Sequence, residues 1–367
     1  MSTVLSKELV AVQVVRRFGE VGGMETYVWR LSHSLIHIKI PVIVICEEVL
    51  QSHNPSIQVI RVKKTVSKPR WLALYCFGVR ARKRYLQLIS DENTQNFIVH
   101  SHERCDFHHV TTFHGPPFAS ILEQRFWKRF SIRVFAHLRL EQREVLATSV
   151  RDVVPNSEII SQDLLRHYPS VKSRLHSAIS PGVPRIPQRL TREIDPRGGS
   201  IGFIGKEWKR KGLAFFLLVS TELMKLRPNI EMIILGPEES EIAHLVKNFS
   251  DNIKFLGWQP SHAIFPTLDL LIHPASIEPY GMVVAEAMAA GVPVLVSDNC
   301  GVCPDVVPSR GSVLSLSDSP GTWAASANSW LAKSHLSYPA FRRDWQSVAN
   351  EYAVVYSRPR CRKKSGE

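Results

Sequence analysis

Long apolar runs are missing from this chain. Nowhere in its 367 residues does one reach the roughly 20 needed to cross a bilayer. The opening MSTVLSKELV has no apolar h-region, so no export signal is expected and the cytoplasm is the expected compartment. The 6 cysteines lie scattered at Cys46, Cys76, Cys105, Cys300, Cys303 and Cys361, which is no disulfide framework. Cys300–Gly–Val–Cys303 is a lone CxxC. A structural zinc would need two more ligands at matching spacing, and none is in place. A reduced thiol pair without a chemical role is the expectation. No Asp-x-Asp pair occurs either. That removes a common device for holding a divalent cation against phosphate oxygens, and no metal is expected.

Positive charge, by contrast, is plentiful and unevenly spread. The net charge is +13. Residues 1–190 hold 27 Lys and Arg against 15 Asp and Glu, a net of +12, while residues 191–367 hold 19 against 18. A basic excess confined to one half points to an anionic partner for that half: anionic lipid, a phosphorylated acceptor or nucleic acid. The hydrophobic fraction of 44% suits a globular protein. The length exceeds one ordinary core, so two α/β domains are expected.

One stretch organises the chain, from Leu271 to Val307: LIHPASIEPYGMVVAEAMAAGVPVLVSDNCGVCPDVV. The apolar run Leu268 to His273 reads as a buried strand of a parallel sheet. Pro274, Pro279 and Gly281 break the chain after it. Met282 to Ala290 is built of helix formers and stopped by Gly291. Val292 to Val296 is a second strand, completing a βαβ unit. Glu278 falls just before the helix and Glu286 about one turn inside it. Gly281 and Met282 place backbone N–H groups at the helix N-terminus, where anions and polar ligand atoms are favoured. Glu286 sits among Val283, Val284, Ala285, Ala287, Met288 and Ala289, so the helix is buried nearly all round. A carboxyl in such a helix needs a partner. Two acceptor carboxylates suit a ligand rich in hydroxyls, such as a sugar and a ribose.

The rest follows in chain order. Leu9 to Val15 reads as a first strand, and a glycine-rich turn with Gly22 and Gly23 leads into a helix to Ile36. Strand, glycine loop and helix can cradle a phosphate, or form a plain turn. Further strands are expected at Pro41 to Cys46, Ile57 to Val62 and Phe97 to His100, with a helix over Lys68 to Ile89. His108, His109 and His114 invite a metal reading. The first two are adjacent and would point to opposite faces of a strand, so they cannot join His114 in one site. A strand-end His114 before Gly115 is instead placed to hydrogen-bond a ligand at the carboxyl edge of a sheet. Ser120 to Leu146 reads as one long helical region. Its Arg125, Trp127, Lys128, Arg129 and Arg133 alternate with large apolar residues, the pattern of a helix lying on a membrane or of an ordinary amphipathic helix. Asp152 to Pro155 is a strand, and Asn156 or Ser157 caps the next helix. Beyond a Pro- and Gly-rich segment, Ser200 to Gly205 is a strand. Lys206, Lys209, Arg210, Lys211 and Gly212 follow it before a helix from Leu213, which are the parts of a diphosphate clamp or of a solvated turn.

These motifs resemble a known family. Glu278–Pro–Tyr–Gly281 through Glu286, then Ala–Gly–Val–Pro–Val, is similar to the donor-site signature of the family 4 retaining glycosyltransferases. Within that family it most resembles the enzymes of the lipopolysaccharide core and of cell-surface polysaccharides. The resemblance implies the GT-B fold: two Rossmann-like parallel-sheet domains facing across a cleft. The expected boundaries are 1–182 for an acceptor-side domain, 183–199 for a linker and 200–338 for the donor domain. A helix over 339–357 is expected to cross back to the first domain, with a basic tail over 358–367. The implied roles are residue by residue. Gly22 and Gly23 contact the donor diphosphate, and His114 touches the transferred sugar. Lys211 and Arg210 bind phosphates, as does Lys206, which stands where many members have Arg and cannot fork to two oxygens as Arg does. Glu278 holds sugar hydroxyls and Glu286 the ribose. The implied partners are a nucleotide sugar, UDP-linked by expectation, an anionic glycolipid or lipid-linked acceptor, and the inner membrane surface, with no metal. Cys300–Gly301–Val302–Cys303 replaces the commoner Gly-Gly-x-x-Glu.

Two other classes stay open on the residues. A nucleotide-sugar epimerase of the same fold would use the same donor site. A nucleic-acid binder would explain the basic charge, although its basic residues lie in helices beside bulky apolar ones and no nucleic-acid motif is visible.

Overall fold

The computed structural model describes residues 9–91, 96–124, 130–189, 191–249, 252–333 and 338–358. The chain divides into two compact units, 1–182 with 344–367 and 183–343.

The first unit is built on six parallel strands: β1 (Leu9–Val14), β2 (Val42–Cys46), β3 (Ile57–Arg61), β4 (Asn96–Ser101), β5 (Val110–Phe113) and β6 (Asp152–Pro155). Their order across the sheet is β3-β2-β1-β4-β5-β6. β1 and β2 are apolar along their length except for Gln13, as suits strands covered on both faces. One face packs against α1 (Gly23–His37) and α9 (Trp345–Ser357) through Leu31, Leu35, Val348 and Tyr352. The other packs against α2 (Arg70–Asp91) through Phe77 and Ala81.

The second unit follows helix α4 (Glu158–His167) of the first in the chain and repeats the plan, with α6 (Glu239–Val246) after its second strand. Its strands are β7 (Gly198–Ile204), β8 (Asn229–Leu235), β9 (Ile253–Phe255), β10 (Leu270–His273), β11 (Val294–Ser297) and β12 (Gly311–Leu314), in the order β9-β8-β7-β10-β11-β12. The helices α5 (Leu213–Leu226) and α8 (Pro320–Ala332) cover one face, with Phe216, Val219 and Trp323 fully buried. Truncating Phe216 to Ala would cost about 3–5 kcal/mol of burial and cavity energy. The other face is covered by α7 (Met282–Ala289), whose Val284, Ala285, Ala287 and Met288 are buried. Two doubly wound parallel sheets of this order are the architecture the sequence led us to expect.

The structure departs from expectation in three places. The helical region over 120–146 is broken. A short turn of helix spans Ile121–Gln124, then Ser131 adopts extended backbone and N-caps α3 (Ile132–Leu146). Of the five residues singled out in this region, Arg125, Trp127, Lys128 and Arg129 lie outside the described residues, whereas Arg133 is exposed in the first turn of α3. The last helix begins at Trp345 rather than near 339, because Asp344 caps it by accepting from Ser347 N at 2.7 Å. The expected linker over 183–199 is packed into the second unit. Val183 and Ile186 are buried in its core, and buried Arg189 pairs with Asp269 at 2.7 Å.

Candidate functional site

In an open parallel sheet, ligands collect outside the carboxyl ends of the strands where the strand order reverses. In the second unit that reversal lies between β7 and β10. The loops leaving Ile204 and His273 flank that point, and they carry residues singled out from the sequence.

The loop after β7 brings its cations onto Glu278. Lys211 Nζ lies 3.1 Å from Glu278 Oε2, and Arg210 Nη1 lies 3.4 Å from the same oxygen. Arg210 also donates to Glu207 Oε2 at 2.5 Å and to the Ile277 carbonyl. Two glycines make this arrangement possible. At Gly205 a Cβ would overlap the Lys211 stem, which runs across it. At Gly212, with φ +83°, a Cβ would collide with the Pro274 carbonyl. Lys206 is exposed at the head of the loop. Among the described residues no ion pair involves it.

The loop after β10 is braced by the segment that carries the CxxC. Glu278 N donates to Asn299 O at 3.0 Å, Gly301 N to Glu278 O at 2.9 Å, and Val302 N to Tyr280 O at 2.7 Å. Tyr280 donates its hydroxyl to Asp305 at 3.0 Å. Cys300 and Cys303 are free thiols. Burial pushes the Cys300 thiol up to about 12, so it is an unreactive packing group beneath this loop. Gly281, at φ +109°, caps α7, and Met282 opens the helix, where first-turn N–H groups have no intrahelical partner.

The two glutamates share one cation yet differ in ionisation. Burial by itself raises the pKa of Glu278. The long 3.5 Å contact from buried His273 and the charges of Lys211 and Arg210 outweigh it, and the carboxyl falls to about 2. Burial pushes Glu286 up to about 7, opposed by the Ser261 hydroxyl, which donates to its Oε2 at 3.1 Å, and by the charge of Lys211. Ser261 is the partner that a carboxyl in so apolar a helix requires. Glu278 is thus a firmly ionised acceptor, whereas Glu286 is poised near neutrality.

In the first unit the strand order reverses between β1 and β4. After β1, Gly22 caps α1 and Gly23 opens it. A Cβ on Gly23 would meet nothing within 4 Å, while one on Gly22 would meet the carboxylate of Glu25. That carboxylate is held by Arg17. A phosphate could reach Gly23 directly but would meet Glu25 at Gly22. His114 follows the last residue of β5. Its Nε2 lies 2.9 Å from His102 Nδ1, its ring packs edge-on to Tyr27, and its carbonyl accepts from Asn156 Nδ2 at 3.3 Å. Burial lowers its pKa to about 3, so the ring is neutral. His108 and His109 are held elsewhere: His108 Nε2 donates to Glu144 O at 3.0 Å, and His109 Nδ1 accepts from Val99 N at 3.0 Å.

In the second unit Lys211 and Arg210 thus meet Glu278, and Lys211 also acts on Glu286; in the first, Gly22, Gly23 and His114 follow the carboxyl ends of β1 and β5; the structure adds His102, His273 and Ser261. His100-Ser-His102 was a usable signal, since alternate residues of a strand share a face. His273 and Ser261 left none beyond their place at a strand end and in a loop.

Two family models match the chain. One, described as Glycosyltransferase Family 4, matches residues 21–185, and the other, described as Glycosyl transferases group 1, matches residues 198–333. The chain belongs to the family 4 glycosyltransferases. A curated relative, the D-inositol 3-phosphate glycosyltransferase of Segniliparus rotundus, is 24% identical over 208 residues, which is 52% of this chain and 46% of that protein. The chain spans about half the length of the first curated relatives it matches, 46% and 48%. Among solved structures, WaaG, a glycosyltransferase involved in lipopolysaccharide biosynthesis, is similar with a TM-score of 0.71 at 17% identity, covering 94% of this chain and 95% of that one. Anabaena Alr3699/HepE, solved in complex with UDP-glucose, is similar with a TM-score of 0.61 at 15% identity, covering 95% and 99%. These likenesses establish the GT-B fold.

Proposed function

We propose that this glycosyltransferase moves a hexose from a UDP-linked sugar to a lipopolysaccharide-core or other lipid-linked saccharide. In this reading the anomeric configuration is retained, no metal takes part, and the enzyme works at the inner face of the cytoplasmic membrane. One observation carries it: at the strand-order reversal of the second sheet Lys211 and Arg210 lie 3.1 and 3.4 Å from Glu278, and the charge of Lys211 also acts on Glu286. A ligand with hydroxyl groups at its two ends and phosphates between them matches that order of charges. Glu286 would hold the ribose and Glu278 the sugar hydroxyls. Lys211, Arg210 and Lys206 would hold the diphosphate, helped by the helix N-terminus at Gly281 and Met282. Gly22, Gly23 and His114 would contact the phosphates and the sugar. The UDP-glucose bound to the HepE structure supports the choice of nucleotide.

In the reaction the bond from the anomeric carbon to the β-phosphate oxygen breaks and the oxygen keeps the electron pair. The cations stabilise that charge, and the stabilisation is greatest in the transition state. The acceptor hydroxyl attacks the same face and gives its proton to the departing phosphate. Before this, Lys211 and Arg210 are neutralised by Glu278, so an arriving diphosphate must draw them from a carboxylate to itself.

The membrane reading rests on α3. Val134, His137 and Leu140 face the core, while Ile132 at 80% exposure and Phe135 at 60%, with Phe130 just before the helix at 80%, stand in solvent beside Arg133 and Arg139. Exposed aromatics among arginines suit an anionic lipid surface. Among the described residues no helix is long and apolar enough to cross a membrane. The test is a panel of nucleotide sugars added to the full chain. A UDP-sugar is expected to raise the melting temperature most. Stabilisation by none of them refutes the reading, and conversion of the donor to a free epimer without an acceptor favours an epimerase.

A further inference from the structure

The ring of His114 is one end of a buried chain of side chains that no reading of the motifs anticipates. His102 Nε2 lies 2.9 Å from Gln13 Oε1, and Gln13 Nε2 donates to the Tyr356 hydroxyl at 3.0 Å. Tyr356 lies 2.8 Å from His100 Nδ1, His100 Nε2 lies 2.7 Å from Thr112 Oγ1, and Thr112 lies 2.6 Å from the Tyr352 hydroxyl. Four elements of the first unit contribute: β1, β4, β5 and, through its two tyrosines, α9. Gln13, His100 and Tyr356 are all but inaccessible, and His102 is 5% exposed.

Each member can donate in one direction only, so the chain has a polarity. Burial drives the pKa of His100 and of His102 well below the ordinary value, so each ring is neutral, with one N–H and one lone pair. The Gln13 amide turns its oxygen to His102, so His102 Nε2 must carry the proton and donate. Its Nδ1 is then a lone pair, and it can only accept from His114 Nε2. On the other side the amide nitrogen donates to Tyr356, whose own proton goes to His100 Nδ1. His100 Nε2–H then donates to Thr112. One amide thus sets the state of three imidazoles. Among the described residues His114 Nδ1 has no partner.

We propose that His102, Gln13 and Tyr356 are positioning residues that lock His114 as its Nε2–H tautomer and so present Nδ1 as a bare acceptor for a hydroxyl of the bound sugar. The inference rests on the reading that His114 meets the sugar. It assigns the last helix a part in the reaction: Tyr356 lies 242 positions beyond His114 yet anchors the amide that fixes it. The opposite amide setting would reverse every bond, put the proton on His114 Nδ1, and turn the acceptor into a donor.

The direct test is the tautomer itself. The full chain, with its histidines labelled with nitrogen-15, is studied by long-range proton–nitrogen correlation, with His114→Gln to assign the signal. The expected result is a protonated Nε2 and a bare Nδ1 on His114; a protonated Nδ1 overturns the proposal. The second test follows UDP release from UDP-glucose. Gln13→Leu removes the acceptor for His102 and is expected to lower kcat about tenfold with KM little changed, the scale of losing a partner that orients a histidine. Gln13→Glu still accepts from His102 and is expected to restore most of that loss. Equal impairment in both variants, following lost thermal stability, contradicts the positioning role. Unchanged turnover in His114→Ala would instead remove the underlying reading of His114, while leaving the tautomer measurement to stand or fall separately.

Discussion

The two units share one strand order but equip the reversal point of the sheet in opposite ways. The second unit uses full charges. Lys211 and Arg210 lie 3.1 and 3.4 Å from one oxygen of Glu278, and the charge of Lys211 also acts on Glu286. Around His114 the first unit uses neutral hydrogen-bonding groups. His114, His102 and His100 all have depressed pKa values through burial, and glutamine, threonine and tyrosine link them. Topology therefore decides where a ligand collects, and the loops decide what kind of ligand atom it can be. A charged site grips phosphates and stabilises a leaving group. A neutral one, with fixed donors and acceptors, reads hydroxyls.

The sharpest way to break this contrast is to compare a cation with a neutral ring. Lys211→Ala is expected to lower kcat by about 100-fold or more, since it removes a charge aimed at the departing phosphate. His114→Ala should cost nearer tenfold, the worth of one neutral hydrogen bond. Steady-state kinetics with UDP-glucose decide the matter, and the reverse order would undo the comparison.

Acid titration sharpens it next. The Glu278 carboxyl is held at about 2 against an ordinary 4.5. A lowered folded pKa means stability that is present above the unfolded value and lost as pH falls from 4.5 to 2. The amount is about 3 kcal/mol. Glu286, raised to about 7, has the opposite sign: its contribution is present below pH 4.5 and lost as pH rises toward 7. In denaturant melts across pH, Glu278→Gln should flatten the acid limb and Glu286→Gln the limb above pH 4.5. Identical pH dependence in wild type and both variants would show that neither environment is as described.

The smallest effect concerns the exposed face of α3. Phe135→Ser should weaken binding to anionic vesicles about tenfold, the scale of one aromatic side chain withdrawn from lipid. Its exposure means that stability should move by no more than about 0.5 kcal/mol. Sedimentation with vesicles and a thermal melt report the two quantities, and undiminished vesicle binding would remove this face from the membrane reading.

Much of this was legible in the sequence, for physical reasons. Runs such as Val42–Cys46 and Val294–Val296 are apolar throughout because strands of a doubly covered sheet meet a hydrophobic layer on each side. Glu286 stood out because a carboxylate in so apolar a setting demands an explanation, and Glu278 because it falls just before the same helix. The helix break at Ser131 was hidden, because amphipathic alternation continues across it and Ser131 caps by backbone geometry alone. The links from His114 through His102 to Gln13, and from Ser261 to Glu286, join residues 12 to 89 positions apart. No local spacing encodes such contacts; they exist only once the sheet has been assembled. The linker misled in a similar way. Its Pro and Gly suggested a linker, yet Arg189 is anchored by a buried aspartate on β10's approach.

The central claim is that the second unit grips a nucleotide diphosphate between Lys211 and Glu286. Calorimetric titration of UDP into the full chain and into Glu286→Ala tests it most directly. The account predicts that wild type binds UDP and that the variant binds it at least about tenfold more weakly, as befits a lost charged hydrogen bond to the ribose. Equal affinity in the two proteins, or no binding by wild type at all, would contradict it.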